Sequence, residues 1–266
     1  MIREKTMSTN NDVLEVVNAD GAGDVVFVCE HASNVIPTEF DQLGLSNELI
    51  ESHIAWDAGA MSVARRLNEL FDGVLVAPLI SRLVYDCNRP PEAEDAIPFK
   101  SEVHVIPGNV ELTTGEKKHR VELIYTPFRN ALNKTIDLAL KKNESSFLVT
   151  IHSFVPIYKG NKRDVEIGIL HDEDTRLADC ILAETKGHSD FVIERNAPYG
   201  PEDGVTHTLC QQGLSKGLPN VMIEIRNDLI ADVKGVERMA VYLASVLKSV
   251  KKNNNLTNMF DQKESH

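Results

Sequence analysis

Apolar runs of strand length recur along the chain. Three of them close on a side chain that binds metal or carries protons: VVFVCEH on His31, FLVTIH on His152 and NVMIEIR around Glu224. A buried strand ordinarily gives way to turn residues, so three such endings predict one polar site at the strand ends of a parallel sheet. Strand-like runs near residues 24–30, 73–86, 146–152, 165–170, 190–194 and 220–226 alternate with helical periodicity, as βαβ units require. The expected fold is α/β, a mixed, mainly parallel sheet flanked by helices in three layers.

Helical spacing is clearest near the C-terminus, where Val236, Met239, Ala240, Leu243, Val246, Leu247 and Val250 form one apolar stripe. Residues 46–70 carry apolar positions at Leu49, Ile50, Ile54, Met61, Ala64 and Leu67, interrupted by Gly59, which predicts one bent helix or two short ones. Thr113 and Glu116 have capping-box spacing ahead of a helix through Val121, Ile124, Phe128, Leu132, Ile136 and Leu140. Pro127 should kink that helix, and His119 and Arg120 should occupy its polar face. Residues 90–115 are proline-interrupted and weakly periodic, the character of a loop that shapes or covers a site. The pattern predicts a single domain over residues 16–250, between a flexible N-terminus (1–15) and a flexible tail (251–266).

Composition narrows the function classes. With 42% hydrophobic and 26% charged residues, the 266-residue chain has enough apolar side chains for a sizeable core. A net charge of -12 without a basic stripe argues against a nucleic-acid partner and for a small-molecule substrate. No apolar run approaches the length of a membrane span, and no secretory signal is visible, so a cytoplasmic location is expected. Cys29, Cys87, Cys180 and Cys210 form no CxxC pair and read as reduced thiols in packing roles. Oligomeric state leaves no trace in the pattern.

The candidate chemistry lies at the strand ends. His31, Asp57 in WDAGA, and His152 would complete a catalytic zinc ligand set, two histidines and a carboxylate with one position left for water. Manganese, iron or cobalt would suit the same ligands. Each residue also has a bland reading: a hydrogen-bonded structural histidine, or a helix cap for Asp57. Glu224 sits within an otherwise apolar strand, where burial would raise its pKa toward use as a general base. A purely structural pair with Arg226 is the alternative. Arg82 and Asp86 would share one face of a strand in SRLVYDCNR, with Arg89 in the following turn. The arginines suit capture of a substrate carboxylate, and an Arg82–Asp86 ion pair is the plainer possibility. Tyr199 and His207 belong to a polar stretch able to line a pocket, and Asn34 opens the turn after His31. His53, His104, His171 and His188 should face solvent or fill loops.

Taken in order and spacing, EHASN, WDAGA, SRLVYDCNRP, TIHSF, NAPYG and IEIRND resemble the motifs of the N-formylglutamate amidohydrolase family over roughly residues 25–230. The resemblance implies a zinc-dependent enzyme with a phosphorylase/hydrolase-like α/β fold, acting on N-formyl-L-glutamate to give L-glutamate and formate. It extends distantly to zinc N-acetylmuramoyl-L-alanine amidases and zinc carboxypeptidases. Carried over, His31, Asp57 and His152 become metal ligands and Glu224 the general acid/base. Arg82 and Arg89 become candidates for holding the glutamate carboxylates, and Arg226, Asn34 and Tyr199 are further candidates at the substrate. Glu30 is the alternative carboxylate ligand; strand alternation favours Asp57 if His31 faces the site. Rival expectations are a hydrolase of another N-acyl amino acid or a peptidoglycan-type amide, and a non-catalytic binder of acidic metabolites.

Overall fold

The computed structural model describes residues 13–187 and 189–252. In chain order the strands are β1 (Leu14–Val17), β2 (Val25–Val28), β3 (Val74–Pro78), β4 (Lys100–Ser101), β5 (His104–Val105), β6 (Phe147–Phe154), β7 (Ile157–Tyr158), β8 (Asn161–Lys162), β9 (Ile167–Leu170), β10 (Ile193–Arg195) and β11 (Asn220–Arg226). The helices are α1 (Asn47–Glu51), α2 (Ala60–Phe71), α3 (Thr114–Arg120), α4 (Thr126–Lys142), α5 (Arg176–Thr185) and α6 (Val233–Lys252). Seven strands form one sheet in the order β1-β3-β2-β6-β11-β9-β10. β3, β2, β6 and β11 run parallel, while β1 pairs antiparallel with β3 and β9 antiparallel with β11; β10 runs parallel to β9. The fold is thus the mixed, mainly parallel α/β architecture that the alternating pattern predicts.

Period-two alternation sorts each central strand between two cores. Phe27, Leu75, Val149, Ile151, Ile223 and Ile225 pack with α2, α5 and α6, whereas Val26, Val28, Val76, Leu148 and Met222 pack with α4. Thr150, His152 and Glu224 continue the second series toward the carboxyl ends. The α6 stripe lies as expected, with Met239, Ala240, Leu243, Val246, Leu247 and Val250 buried. No helix among the described residues is long and apolar enough to cross a membrane.

Several local expectations change. The run at 73–86 is a strand only to Pro78, and Arg82 and Asp86 lie in the turns that follow. Residues 46–70 form two helices: α1 stops where Ser52 turns extended, and Gly59, with a left-handed φ of 83°, immediately precedes α2. The Thr113–Glu116 capping box is present. Ahead of Pro127 the chain widens into a π-helical segment, Val121–Tyr125. Arg120 is buried, not on the polar face, and donates to the carbonyls of Val84 and Gly108 and to Asn109 Oδ1. His171 fills the loop after β9 as expected, buried between Arg195 and the Asp172 carbonyl. The tail beyond Lys252, the first twelve residues and His188 lie outside the described residues.

Candidate active site at the carboxyl ends of the strands

β6 and β11 run in register, so Glu224 stands directly beside His152. On the other side of β6, Val28 is level with Thr150. β2 stops there, and its continuation carries Glu30 and His31, both buried, into the space beside His152. The alternation that would send Glu30 away from His31 no longer operates past the end of the strand. Asp57 arrives from the turn before α2. Its backbone N–H donates to the His31 carbonyl at 3.0 Å, and Ser153 Oγ donates to the carbonyl of Ala58 at 2.9 Å. Those bonds tie the WDAGA turn to both histidine-bearing segments, and α2 is capped by Gly59, not by the Asp57 side chain.

One oxygen, Asp57 Oδ2, is the focus of the site. It lies 3.2 Å from His31 Nδ1, 2.9 Å from His152 Nδ1 and 3.2 Å from the backbone N of Ser153. The two imidazoles meet edge to face with centroids 4.8 Å apart. Their far nitrogens are backed by carboxylates: His31 Nε2 by Asp86 Oδ1 at 2.7 Å, and His152 Nε2 by Glu30 Oε2 at 3.0 Å. The Glu30 contact is ionic in character, because the two atoms are close without hydrogen-bond alignment. Arg82 Nη2 holds Asp86 Oδ2 at 2.7 Å, and its Nη1 comes within 3.6 Å of Asp57 Oδ1. The Arg82–Asp86 pair foreseen as the plain alternative is therefore present, and it also positions His31.

Charge explains the protonation states. Burial and Arg82 press His31 downward, but Asp86 and Asp57 outweigh them and hold it above its ordinary value. For His152, burial is overcome by Glu30 and Asp57, and the ring is held well above. Burial opposes ionisation of Asp57 and Asp86, yet the neighbouring histidines, and for Asp86 also Arg82, draw both carboxyls below the usual range. Glu224 behaves in the opposite way: burial dominates the pull of His152 and pushes it up to about 7. Its Oε2 is buried without a hydrogen-bond partner.

These features fit a divalent cation. One ligand atom from each of His31, Asp57 and His152 lies within 4.8 Å of the other two, so the cluster could hold a metal ion. Both histidines present Nδ1 to the same carboxylate oxygen while Nε2 rests on another carboxylate, the arrangement that fixes tautomer and ring orientation in metal-ligating histidines. A cation there would displace the protons that the surrounding carboxylates now hold on the two rings.

The cluster forms the floor of a cavity of about 300 Å³, whose walls include Arg82, Tyr199 and Glu224. Loop 90–115 contributes Asp95, Pro98, Ser101 and Glu102 to the lining, and Glu102 pairs with His53 at 3.0 Å. Asn109 pins this loop by donating to the carbonyls of Leu83 and Pro98. The expected substrate arginines separate. Arg82 lines the cavity with part of its fork free, whereas Arg89, though in the wall, is engaged with Asp95 at 2.7 Å and with the Gly204 carbonyl at 2.8 Å. Arg226 is bound by Glu166 and Asp228 outside the lining, not by Glu224, and Asn34 donates to the Ile50 carbonyl, also outside it. His207 meets the Tyr125 hydroxyl at 2.8 Å. Cys29 and Cys87 are buried, which pushes both thiols well up and away from nucleophilic use.

Comparison with known proteins follows the same outline. A family model for N-formylglutamate amidohydrolase matches residues 23–231. A gene product of Agrobacterium tumefaciens, known from its crystal structure, is 48% identical, with a TM-score of 0.89 over 92% of this chain and 96% of that one. The crystal structure of N-formylglutamate amidohydrolase from Ralstonia eutropha aligns with a TM-score of 0.61 over 91% of this chain and 98% of that one; at 19% identity this is a likeness of fold. The comparison with curated proteins returned no match. The chain therefore belongs to the N-formylglutamate amidohydrolase family, hydrolases that act on an amide bond.

Proposed function

We propose that the protein hydrolyses N-formyl-L-glutamate to L-glutamate and formate, with a divalent cation, zinc by the chemistry of the donors, held by His31, Asp57 and His152. The observation that carries this reading is Glu224: a buried carboxylate with an unpartnered oxygen and a pKa pushed up to about 7, in the wall of a cavity whose floor is a two-histidine, one-carboxylate cluster. A cation at that cluster would supply Lewis-acid polarisation of the formyl carbonyl and acidify the attacking water.

The side chains divide the remaining work. Glu224 takes a proton from the attacking water as its oxygen adds to the formyl carbon, then returns that proton to the amide nitrogen as the C–N bond breaks. Formic acid and the free amine result, becoming formate and ammonium as the acid's proton passes to the amine, and Glu224 ends as it began. Asp86 and Glu30 hold the two imidazoles in orientation. Arg82 offers its free N–H groups to a substrate carboxylate, while Asp86 fixes the plane of its fork. Among the arginines expected at the substrate, Arg89 and Arg226 have their hydrogen-bonding capacity spent on Asp95, Glu166, Asp228 and backbone carbonyls, so Arg82 takes this role.

The test is quantitation of formate and amino acid released from N-formyl-L-glutamate beside other N-acyl amino acids, using zinc-loaded and chelator-stripped protein. Equimolar formate and glutamate, lost on chelation and restored by zinc, is the expected result. Preferential cleavage of another acyl group would reassign the substrate, and turnover unchanged by chelation would remove the cation from the account.

A further inference from the structure

We infer that Arg163, packed against aromatic rings that line the cavity, is a positioning residue for specificity: through the Tyr199 hydroxyl that it holds, the second carboxylate of a dicarboxylate substrate is bound. The inference rests on the amidohydrolase reading for its substrate class and on geometry for its residues. Arg163 follows the β7–β8 hairpin. Its guanidinium lies 4.5 Å from the ring centroid of Tyr158, 4.8 Å from Tyr199 and 5.5 Å from Phe154. All three rings line the cavity that holds the histidine cluster and Glu224, while Arg163 lies outside the lining and reaches it through Tyr199.

Arg163 is a cation without a counter-charge beside the lining residue Tyr199; among the described residues Arg120, Arg129 and Arg238 also lack a carboxylate partner, but they lie over Phe40, Tyr125 and Phe191, which do not line the cavity. Arg82, Arg89, Arg176, Arg195 and Arg226 each have a carboxylate within salt-bridge distance; Arg163 has none within 4.0 Å among the described residues. Its bonds go instead to the Tyr199 hydroxyl at 3.0 Å and the Val155 carbonyl at 3.4 Å. Because that hydroxyl accepts from Arg163, its own proton is free to be donated to a ligand in the cavity. A guanidinium packed within 4.5–5.5 Å of three ring centroids has its position fixed beside the Tyr199 hydroxyl, which suits support of a bound carboxylate. A glutamate-like substrate carries two carboxylates. Arg82 is already partly neutralised by Asp86 and Asp57, so a second, uncompensated cation is what the dianion requires.

Calorimetric binding of glutarate and of butyrate, a monocarboxylate of similar reach, tests this without turnover. Wild type should prefer glutarate. Arg163→Met should weaken glutarate about ten-fold or more, the worth of one charged hydrogen-bonding group, and leave butyrate within about two-fold. Should Arg163→Met melt early, Tyr199→Phe decides, because it keeps the ring and removes only the hydroxyl: about three-fold or greater loss for glutarate alone is expected. Equal losses for both ligands, unchanged glutarate binding, or no preference in wild type would overturn the role. Formate release assayed on the same wild-type sample reports separately on the hydrolase reading, so failure of one is distinguishable from failure of the other.

Discussion

Gly59→Ala probes how the site is built. Gly59 has φ 83° and ψ -22°, and a Cβ there would stand 2.6 Å from the Ile230 carbonyl oxygen and 2.9 Å from two carbons of the Ile230 side chain. Holding an L-residue in the left-handed region costs about 1–2 kcal/mol. Forcing a methyl against backbone in a packed core adds about 1–3 kcal/mol. The sum is a loss of about 2–5 kcal/mol, or a drop of roughly 4–10 °C in Tm for a chain of this size. The strain falls two residues from Asp57, in the turn bonded to His31 and Ser153, so metal affinity should fall as well. Gly115→Ala is the control: it lies in the first turn of α3, where a Cβ meets only Thr113 Oγ1, at 3.9 Å. That substitution should be neutral or stabilise by up to about 1 kcal/mol. Urea unfolding of the two variants beside wild type supplies the numbers. A Gly59→Ala protein within about 0.5 kcal/mol of wild type, with unaltered zinc affinity, would refute the reasoning that this turn sets Asp57.

The backing carboxylates and Glu224 give further expectations. Asp86→Asn and Glu30→Gln should each weaken zinc binding by about 10–100-fold in competition with a chelating dye, and unchanged affinity would show that His31 and His152 need no such support. Activity should decline with acidity, because Glu224 must be ionised to accept a proton; its value of about 7 is an upper bound for the loaded enzyme, since a bound cation favours the carboxylate. A kcat/KM profile with a single acid limb whose midpoint lies at or below about pH 7 is therefore expected, and an acid limb well above it would exclude Glu224 as the base.

Much of this arrangement is legible in the sequence because each key residue ends an apolar run. His31, His152 and Glu224 lie near the carboxyl ends of strands that the hydrophobic pattern predicts for a parallel sheet, while the adjacency and register of β6 and β11 come from the fold. Asp57 was recognisable from its small, glycine-containing turn. Glu30 was harder to read, since strand alternation assigns it to the far side and only the early end of β2 at Val28 frees it to reach His152. The arginines were harder still. Arg82, Arg89 and Arg226 carry identical chemistry in the sequence, and what separates them is which carboxylate the fold brings near: Asp86, Asp95, or Glu166 with Asp228. Arg163 gave no signal at all, because it sits in the polar stretch KGNKRD and its aromatic partners come from residues 154, 158 and 199. β1 escaped notice for a related reason: it is a four-residue edge strand whose side chains are only partly buried.

The most direct test of the central claim compares wild type with Glu224→Gln, both loaded with zinc, measuring bound metal and formate release on the same samples. Glutamine preserves shape and removes the proton acceptor, so the account predicts equal zinc content and turnover lower by about 10²–10⁴-fold. Equal zinc with equal turnover would contradict it, since a hydrolytic centre built around the His31–Asp57–His152 cluster would then be working without the carboxylate placed beside it.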